Sequence, residues 1–203
     1  MITIDDVIVQ PPDSGEVFDP VRVFGREASF ELEIGSGKGG FLLRRAKERP
    51  DIDLLGIEYA NKFFKYAADR MARWGVTNVR MMRTDARNFV MHHLPDACLM
   101  ALHVYHPDPW PKKRHHKRRM FQPEFVAAAR RALRAGGRLA IQTDHADYYA
   151  WIVEMMLKAE GFEPIEYDDA SFGIVEDSAQ TNFEIKYRRE GREIYRLAYC
   201  KVG

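Results

Sequence analysis

The sequence has little of what defines several protein classes. Its 203 residues include two cysteines, Cys98 and Cys200. Both lie in apolar or aromatic stretches, which favours core thiols, and the pair offers neither a zinc-site spacing nor a disulfide framework. No apolar run approaches the length of a membrane span, and the first residues lack the basic and apolar stretches of a signal peptide. We therefore expect a cytoplasmic protein without a membrane segment or a metal site.

An overall excess of one charge is also absent. The chain has 31 basic and 30 acidic residues, and its formal net charge is +1. Bulk charge therefore neither supports nor excludes a nucleic-acid partner. The distribution is uneven, however, because six of the eight residues from Lys112 to Arg119 are Lys or Arg and the other two are His. Apolar residues make up 46% of the chain, enough for the core of one domain.

Short apolar segments alternate with helical patterns along most of the chain. The predicted strands are 29–34, 52–58, 78–84, 97–105, 138–144, 163–169 and 192–201. The predicted helices are 40–48, 60–75, 121–137 and 146–161. This alternation predicts an α/β fold, in which helices cover both faces of a parallel sheet. Residues 1–27 form an irregular N-terminal extension in this prediction, and residues 28–203 form one domain.

A glycine-rich turn, EIGSGKGG, follows the first predicted strand. Gly35, Gly37 and Gly40 fit the G-x-G-x-x-G pattern of dinucleotide-binding sites. Glu33 precedes the first glycine by two residues, as in a methyltransferase motif. A P-loop is excluded, because no Ser or Thr follows a Gly-Lys pair at the required offset. The pattern alone leaves NAD and S-adenosylmethionine as alternatives.

Carboxylates follow the next two predicted strands. Glu58 can accept hydrogen bonds from ribose hydroxyls, or it can interact with the dipole of the following helix. Asp85 can accept from an adenine amino group while the backbone N–H of Ala86 reaches the ring, and it can also cap a helix. Neither residue distinguishes the two cofactors, since both contain adenosine.

A proline-rich loop, HPDPWP, follows the fourth predicted strand. Its three prolines restrict the backbone. Asp108 lies where an α/β enzyme places catalytic groups, and Trp110 can stack on a base. The same dipeptides also occur in ordinary turns, so the loop alone does not indicate function.

The basic segment, which we define as Lys112–Arg119, begins directly after this loop. Runs of like charge are usually solvated surface or disordered tails. This run instead lies between a predicted core strand and a predicted helix, next to the expected pocket. A cationic segment beside a rigid loop with an aromatic ring and a carboxylate favours a nucleic-acid enzyme over a dehydrogenase.

At this point the motifs resemble a known family. PDPWPKKRHHKRR resembles the signature of the bacterial tRNA (guanine-N7)-methyltransferases. The glycine loop, GIE, TDAR, QTDHADY and TNFEIKYRREGREIYRL are similar to that family in the same order. The resemblance covers about Ala28 to Tyr199, with His106 standing where a Phe is more usual.

The resemblance implies a class I S-adenosylmethionine-dependent methyltransferase fold, which is a Rossmann-like, seven-stranded, mostly parallel sheet with an antiparallel last strand. It implies methyl transfer from S-adenosyl-L-methionine to N7 of the variable-loop guanine, position 46, of tRNA. A monomer or a homodimer is expected.

The resemblance also implies the site residues. The cofactor site would comprise Glu33, Gly35, Gly37, Glu58, Asp85, Ala86 and Asp108, with Asp108 also catalytic. The substrate site would comprise Lys112, Asp144, Thr181, Asn182, Phe183 and Glu184. The RNA-binding residues would be Arg114, His115, His116, Lys117, Arg118 and Arg119.

Two substrate positions have structural alternatives. Thr181 and Glu184 fit a capping box, and Asp144 can cap the helix that begins near Ala146. Two other functions also stay open. One is a nicotinamide-dependent oxidoreductase, and the other is a non-catalytic RNA-binding module.

Overall fold

The computed structural model describes residues 2–168, 191 and 193–203, which form one mixed sheet with helices on both faces. The strands are β1 (Ile8–Val9), β2 (Ser29–Ile34), β3 (Ile52–Ile57), β4 (Val79–Met82), β5 (Leu99–Tyr105), β6 (Leu133–Thr143), β7 (Phe162–Ile165) and β8 (Tyr195–Lys201). The helices are α1 (Ile4–Val7), α2 (Pro20–Phe24), α3 (Gly40–Glu48), α4 (Asn61–Arg73), α5 (Ala86–His92), α6 (Pro123–Ala132) and α7 (Ala146–Leu157), with a 3₁₀ helix at Lys113–Arg118. None of the helices in these ranges is long and apolar enough to cross a membrane.

The strand order of this sheet is β1-β4-β3-β2-β5-β6-β8-β7. The strands from β1 to β6 pair in parallel, and β8 runs antiparallel to both β6 and β7. The predicted α/β class and the antiparallel last strand are therefore confirmed. The described part of the sheet has eight strands rather than seven, because the two residues of β1 pair with Met81 and Met82 of β4.

The first 27 residues contain more regular structure than we predict. Thr3 opens α1 with a capping box, in which its backbone N–H donates to the Asp6 carboxylate at 2.8 Å. Val7 is 0% exposed and Phe18 is 3% exposed. Phe18 packs against Phe30 and Phe89 of the main core. Prolines that signal an irregular stretch thus flank residues of both core clusters, since Val7 belongs to the cluster with α3 and α4 and Phe18 to the cluster with α5, α6 and α7. The domain boundary at Ala28 stays a prediction.

The helix predicted for 121–137 ends earlier than expected. In the structure α6 ends at Ala132, and the next residue, Leu133, already pairs with Leu99 of β5. The exposed residues 134–136 then bulge from the ladder, where Gly136 has a φ of +72°. Burial of Leu133 in the sheet outweighs the helical pattern of the sequence around it. The two glycines therefore belong to a bulge rather than to a helix C-terminus.

Strand β2 lies at the centre of the sheet and has two different faces. Phe30, Leu32 and Ile34 pack into the large core cluster, which includes residues of α5, α6 and α7. Because side chains alternate along a strand, Glu31 and Glu33 lie on the opposite face, which α3 covers. Both glutamates are buried.

Glu31 has a full set of partners. Arg45 of α3 donates to both of its carboxylate oxygens, at 3.0 and 2.6 Å. His103 of β5 donates from Nε2 at 3.0 Å, and its Nδ1 accepts from the Tyr105 hydroxyl at 2.8 Å. Burial by itself raises the pKa of Glu31, but the hydrogen bonds from His103 and Arg45 outweigh it and lower the pKa to about 2. Burial also lowers the pKa of His103, so we infer a neutral imidazole.

We predict that Arg45→Met destabilises the fold strongly. The substitution preserves much of the side-chain volume but removes the main charge partner of a fully buried carboxylate, which costs about 3–5 kcal/mol. Chemical denaturation at pH 7 measures the loss. Arg73 is a matched control, because its ion pair with Asp69 is solvent-exposed. Arg73→Met should cost less than about 1 kcal/mol, and equal losses from the two variants would contradict a special role for the buried pair.

Candidate functional site

The predicted site residues follow the carboxyl ends of five neighbouring strands. Residues 35–39 follow β2, Glu58 follows β3 and Asp85 leads from β4 into α5. Residues 106–112 follow β5, and Asp144 follows β6. These strands are parallel and adjacent in the order β4-β3-β2-β5-β6, so all five connections lie at one edge of the sheet.

The glycine loop is held against β3. The N–H groups of Gly35 and Ser36 both donate to the carbonyl of Ile57, at 2.8 and 3.1 Å. Gly35 and Gly37 have φ values of +70° and +53°, which favour glycine. A Cβ on Gly35 would meet no atom within 4 Å, so this part of the loop borders open space. The loop thus presents backbone at the sheet edge, as a bound ligand requires.

Glu58 joins the glycine loop to the start of α4. Its Oε2 accepts from the Gly37 N–H at 2.9 Å, and its Oε1 accepts from the Ala60 N–H at 2.8 Å. Each carboxylate oxygen has a second lone pair, so the same group can still accept from a ribose hydroxyl. Its local structural role and the predicted cofactor role are therefore compatible.

Glu33 is the opposite of Glu31, although the two belong to the same strand. It is 3% exposed, and its Oε2 has no hydrogen-bond partner among the described residues. Burial raises the pKa of Glu33 to about 8, and Glu58 adds to the rise while Arg44 opposes it. We therefore infer that the protonated form of Glu33 is favoured near pH 7, and a cation bound next to it would favour the carboxylate.

Asp85 is the N-cap of α5. Its Oδ1 accepts from the Asn88 N–H at 2.8 Å, and α5 begins at Ala86. The capping alternative is therefore confirmed. The exposed carboxylate lies at the same sheet edge as Glu58, and its contact with adenine stays a prediction.

The proline-rich loop has an unusual backbone at both ends. His106 and Trp110 have φ values of +51° and +43°, which are uncommon for residues other than glycine. The His106 N–H still donates to the Gln142 carbonyl of β6 at 2.8 Å. Between these residues, the exposed Asp108 makes no hydrogen bond or ion pair within the described ranges. The loop thus fixes a carboxylate that is available to a ligand.

The basic segment presents most of its charge to solvent. It forms the 3₁₀ helix, in which Lys113, Arg114, Lys117 and Arg118 are exposed, and Lys112 precedes it. The Arg118 guanidinium lies 4.9 Å from the centre of the Trp110 ring. His115 packs edge-on against the same ring, which ties the segment to the Asp108 loop. No group of three His, Cys, Asp or Glu side chains that could hold a metal ion occurs in the part of the chain that the structure describes.

Arg119 differs from the prediction that it binds RNA. Arg119 is 0% exposed, its Nε donates to the Pro109 carbonyl at 2.9 Å, and it forms an ion pair with Asp147 of α7. It also lies over the rings of Tyr148 and Trp151, at 5.1 and 5.2 Å. The guanidinium therefore anchors the loop to α7 and does not face a ligand. The sequence alone could not show that the last cation of the basic segment is directed towards the protein interior.

Asp144 does not cap α7, so that alternative is wrong. The N-cap is His145, which accepts from the Tyr148 N–H at 3.4 Å. The Asp144 Oδ1 lies 3.8 Å from Nδ1 of His106, across the gap between the ends of β5 and β6. The structure thus brings Asp144 to the edge of the Asp108 loop. Thr181, Asn182, Phe183 and Glu184 lie outside the described residues, so their roles and the capping box stay predictions.

Sequence reasoning missed the buried polar residues of β5. His103 and Tyr105 are 0% and 4% exposed and lie in a run that we assigned only to the apolar core. Parallel pairing places His103 next to Glu33 in register, and Phe41 packs on both rings. The sequence did contain a signal for them, because two polar aromatic residues at alternate positions of an apolar strand lie on one face and can bond to each other or to a shared partner.

Comparison with known proteins agrees with this arrangement. Residues 27–197 match the model of a family described as "Putative methyltransferase". The tRNA (guanine-N(7)-)-methyltransferase of Alkalilimnicola ehrlichii is 37% identical over 193 residues, which are 95% of this chain and 81% of that protein. The enzyme of the same name from Geobacter metallireducens is 34% identical over 96% of this chain and 92% of its own length. The crystal structure of TrmN from Thermus thermophilus has a similar fold, with a TM-score of 0.61 and 16% identity over 90% of this chain and 47% of that chain.

The sheet, its glycine loop and the carboxylates at its edge define a methyltransferase of the class I fold. More narrowly, the chain belongs to the tRNA (guanine-N(7)-)-methyltransferase family.

The raised pKa of Glu33 predicts a dependence of stability on pH. The unfolded chain loses this proton near its ordinary pKa of 4.5, whereas the folded chain keeps it until about pH 8. Glu33 therefore lowers the free energy of unfolding progressively as the pH rises from 4.5 to 8. Glu33→Gln removes this titration, so the melting temperature of the variant should exceed that of the parent by a margin that grows over this range and then levels off.

Thermal unfolding of the cofactor-free protein at pH 5, 6.5 and 8 measures this margin. Glu163→Gln is the matched control, because Glu163 is an exposed residue of β7. Its unfolding curve should follow that of the parent at every pH. A constant difference between Glu33→Gln and the parent would show that Glu33 is ionised throughout.

Proposed function

We propose that this protein transfers a methyl group from S-adenosylmethionine to N7 of the variable-loop guanine, position 46, of tRNA. One observation supports this most directly. The exposed cations of the basic segment continue from the loop that carries Asp108, at the same sheet edge as the glycine loop and Glu33. A polyanion bound to the segment would thus lie next to the pocket. The tRNA substrate also favours a cytoplasmic location.

The residues at the sheet edge fit S-adenosylmethionine. The cofactor supplies an electrophilic methyl group on a sulfonium and brings an adenosine and an amino acid. Glu33, with a buried oxygen that has no partner in the described ranges, suits the cationic part. Glu58 suits the ribose hydroxyls, and Asp85 with the Ala86 N–H suits the adenine. The open side of Gly35 leaves room for a ligand against the backbone.

The chemistry at guanine requires positioning more than proton transfer. Guanine N7 has an in-plane lone pair and no proton, so the protein needs no base to activate it. Its main task is to hold N7 in line with the methyl group. Positive charge develops on the guanine during transfer, and a fixed carboxylate beside the ring stabilises it electrostatically. Asp108 serves this role in our proposal, and it also borders the cofactor.

Asp144 selects the base in our proposal. Guanine presents N1–H and an amino group on its pairing edge, and a carboxylate can accept from both, whereas adenine offers no matching pair of donors. The position of Asp144 beside the Asp108 loop supports this role. Lys112 would hold a phosphate or a guanine acceptor, and residues 181–184 would complete the substrate site.

The rival functions have less support. A nicotinamide-dependent oxidoreductase explains the glycine pattern but not the adjacent basic segment. A non-catalytic RNA-binding module does not explain why Glu33 and Asp108 keep available carboxyl groups at the sheet edge.

Incubation with labelled S-adenosylmethionine and an unmodified tRNA transcript tests the proposal. Label should enter N7 of guanine 46, which chemical cleavage at that base locates. Asp108→Asn should lower kcat about 100-fold at saturating cofactor and tRNA, because a fixed charge beside the reacting base is lost. Asp5→Asn, at an exposed position of α1, is the control and should leave kcat unchanged. Label in adenine or cytosine would refute the proposed reaction. Full turnover by Asp108→Asn would refute the catalytic role of Asp108.

The two kinds of cation in the basic segment should behave differently. Replacement of two of the exposed cations, Arg114→Gln with Lys117→Gln, should raise the KM for tRNA and reduce the slope of log affinity against log salt by about 2. Affinity for S-adenosylhomocysteine and the melting temperature should not change. Arg119→Gln should instead lower the melting temperature, because it breaks the anchor to Asp147 and Pro109. If the double variant also lost cofactor affinity, the exposed cations would be structural.

A further inference from the structure

A row of aromatic rings lies on the surface beside the glycine loop. Tyr59, Phe63 and Tyr66 are 72%, 37% and 46% exposed. Phe63 and Tyr66 are three residues apart on α4, so they share one helix face, and Tyr59 precedes the helix by two residues. Large rings exposed in a row are unusual on a protein surface that carries no function.

Folding of α4 does not require these rings. The helix packs on the sheet through its other face, where Phe64, Ala67, Ala68 and Met71 are buried in a core cluster with residues of β3 and β4. The outward face is free to carry polar residues without loss of core packing. Exposed rings at these positions therefore indicate a contact with another molecule.

Cations lie among the rings. Lys38 of the glycine loop holds its Nζ 5.8 Å from the centre of the Tyr66 ring, and Arg70 donates to the Lys38 carbonyl at 3.3 Å. Arg83 donates to the Tyr59 carbonyl at 3.1 Å, and Lys62 lies exposed next to Phe63 in sequence. Within the described ranges none of these four cations forms a salt bridge.

The nearby acid of α4 does not neutralise this charge. Asp69 pairs with Arg73 at 2.6 Å, near the far end of the helix. We call the set of Lys38, Tyr59, Lys62, Phe63, Tyr66 and Arg70 the α4 surface. It combines unpaired positive charge with exposed rings, which is the composition of a surface that stacks bases and attracts the phosphates between them. A second copy of this chain would bring the same positive charge to itself.

The α4 surface and the basic segment lie on opposite sides of the glycine loop. The surface follows β3, and the basic segment follows β5, with β2 between them. Two strand spacings separate β3 from β5, which is about 10 Å. A single folded RNA can therefore contact both while its target base enters between them.

We propose that the α4 surface is a second RNA contact, where an unpaired nucleotide of the tRNA substrate stacks on Phe63 and Tyr66. This rests on the proposed tRNA substrate. The variable loop of tRNA offers unpaired bases, and every base has a face that an aromatic ring can stack on, so this contact is tolerant of sequence. The basic segment holds backbone on one side of the target, and the α4 surface holds a neighbouring base on the other.

The test compares variants that keep or remove the rings. Phe63→Leu with Tyr66→Leu preserves apolar surface and helix propensity but removes both stacking faces. The Kd for an unmodified tRNA transcript, measured by fluorescence anisotropy, should rise about tenfold or more. Tyr66→Phe keeps the ring and should bind like the parent. Affinity for S-adenosylhomocysteine and the melting temperature of the double variant should stay unchanged, which separates RNA contact from a structural role.

Trp74→Ala provides a matched control. Trp74 is 59% exposed and has Lys47 over its ring at 3.7 Å, but it lies at the other end of α4. The Trp74→Ala variant should bind tRNA like the parent, and a loss of affinity equal to that of the double variant would overturn the proposal.

The proposal also fails if the double leucine variant binds tRNA normally, or if Phe63→Ala with Tyr66→Ala turns a dimer into a monomer in sedimentation without weakening RNA binding. If the parent protein neither binds nor methylates tRNA, the proposed function fails as well. If the parent methylates tRNA and the double leucine variant binds it normally, only the proposed contact at the α4 surface is refuted.

Discussion

The central strand β2 has to place two carboxyl groups in the interior of a parallel sheet, and the rest of the site depends on how it does so. A charge can stay there only when it has partners, and otherwise the group keeps its proton. Glu31 takes the first course through Arg45 and His103, which tie α3 and β5 to the strand. Glu33, two residues further along the same face of β2, lacks such partners in the part of the chain that the structure describes, and burial raises its pKa to about 8. The buried ion pair of Glu31 thus lies on the same face of β2 as Glu33, whose Oε2 has no hydrogen-bond partner among the described residues.

Five parallel strand ends at one edge give the site its layout, while separate contacts set the position of each loop. Glu58 binds the glycine loop to the start of α4, and Asp85 starts α5. Arg119 binds the proline-rich loop to α7, and α7 itself begins just after Asp144. Glu58, Asp85 and Arg119 therefore also have structural roles. Asp108 differs, since within the described ranges it has no such bond, and this agrees with a role that needs its carboxylate to be free.

The sequence predicts the large features of this structure because they come from local patterns. The bounds of β2 and α3 match the predicted ranges 29–34 and 40–48. Both come from local sequence, because apolar and polar residues alternate along β2 and glycines mark the start of α3. The end of α6 could not be predicted, because the pairing of Leu133 with Leu99 is a long-range contact. The inward turn of Arg119 depends on Asp147 and Pro109, and the polar role of His103 depends on Glu31, 72 residues away. Motifs thus locate the site, whereas tertiary partners decide which of its residues face a ligand.

The division of labour within the basic segment has a consequence for how such a protein can change over evolution. The guanidinium that fixes the loop is buried with Asp147, Tyr148 and Trp151, while the cations that face solvent take no part in that anchor. Surface cations can consequently change in number and order during evolution without moving the loop that carries Asp108. Arg119 has no such freedom, because its replacement would release that loop from α7.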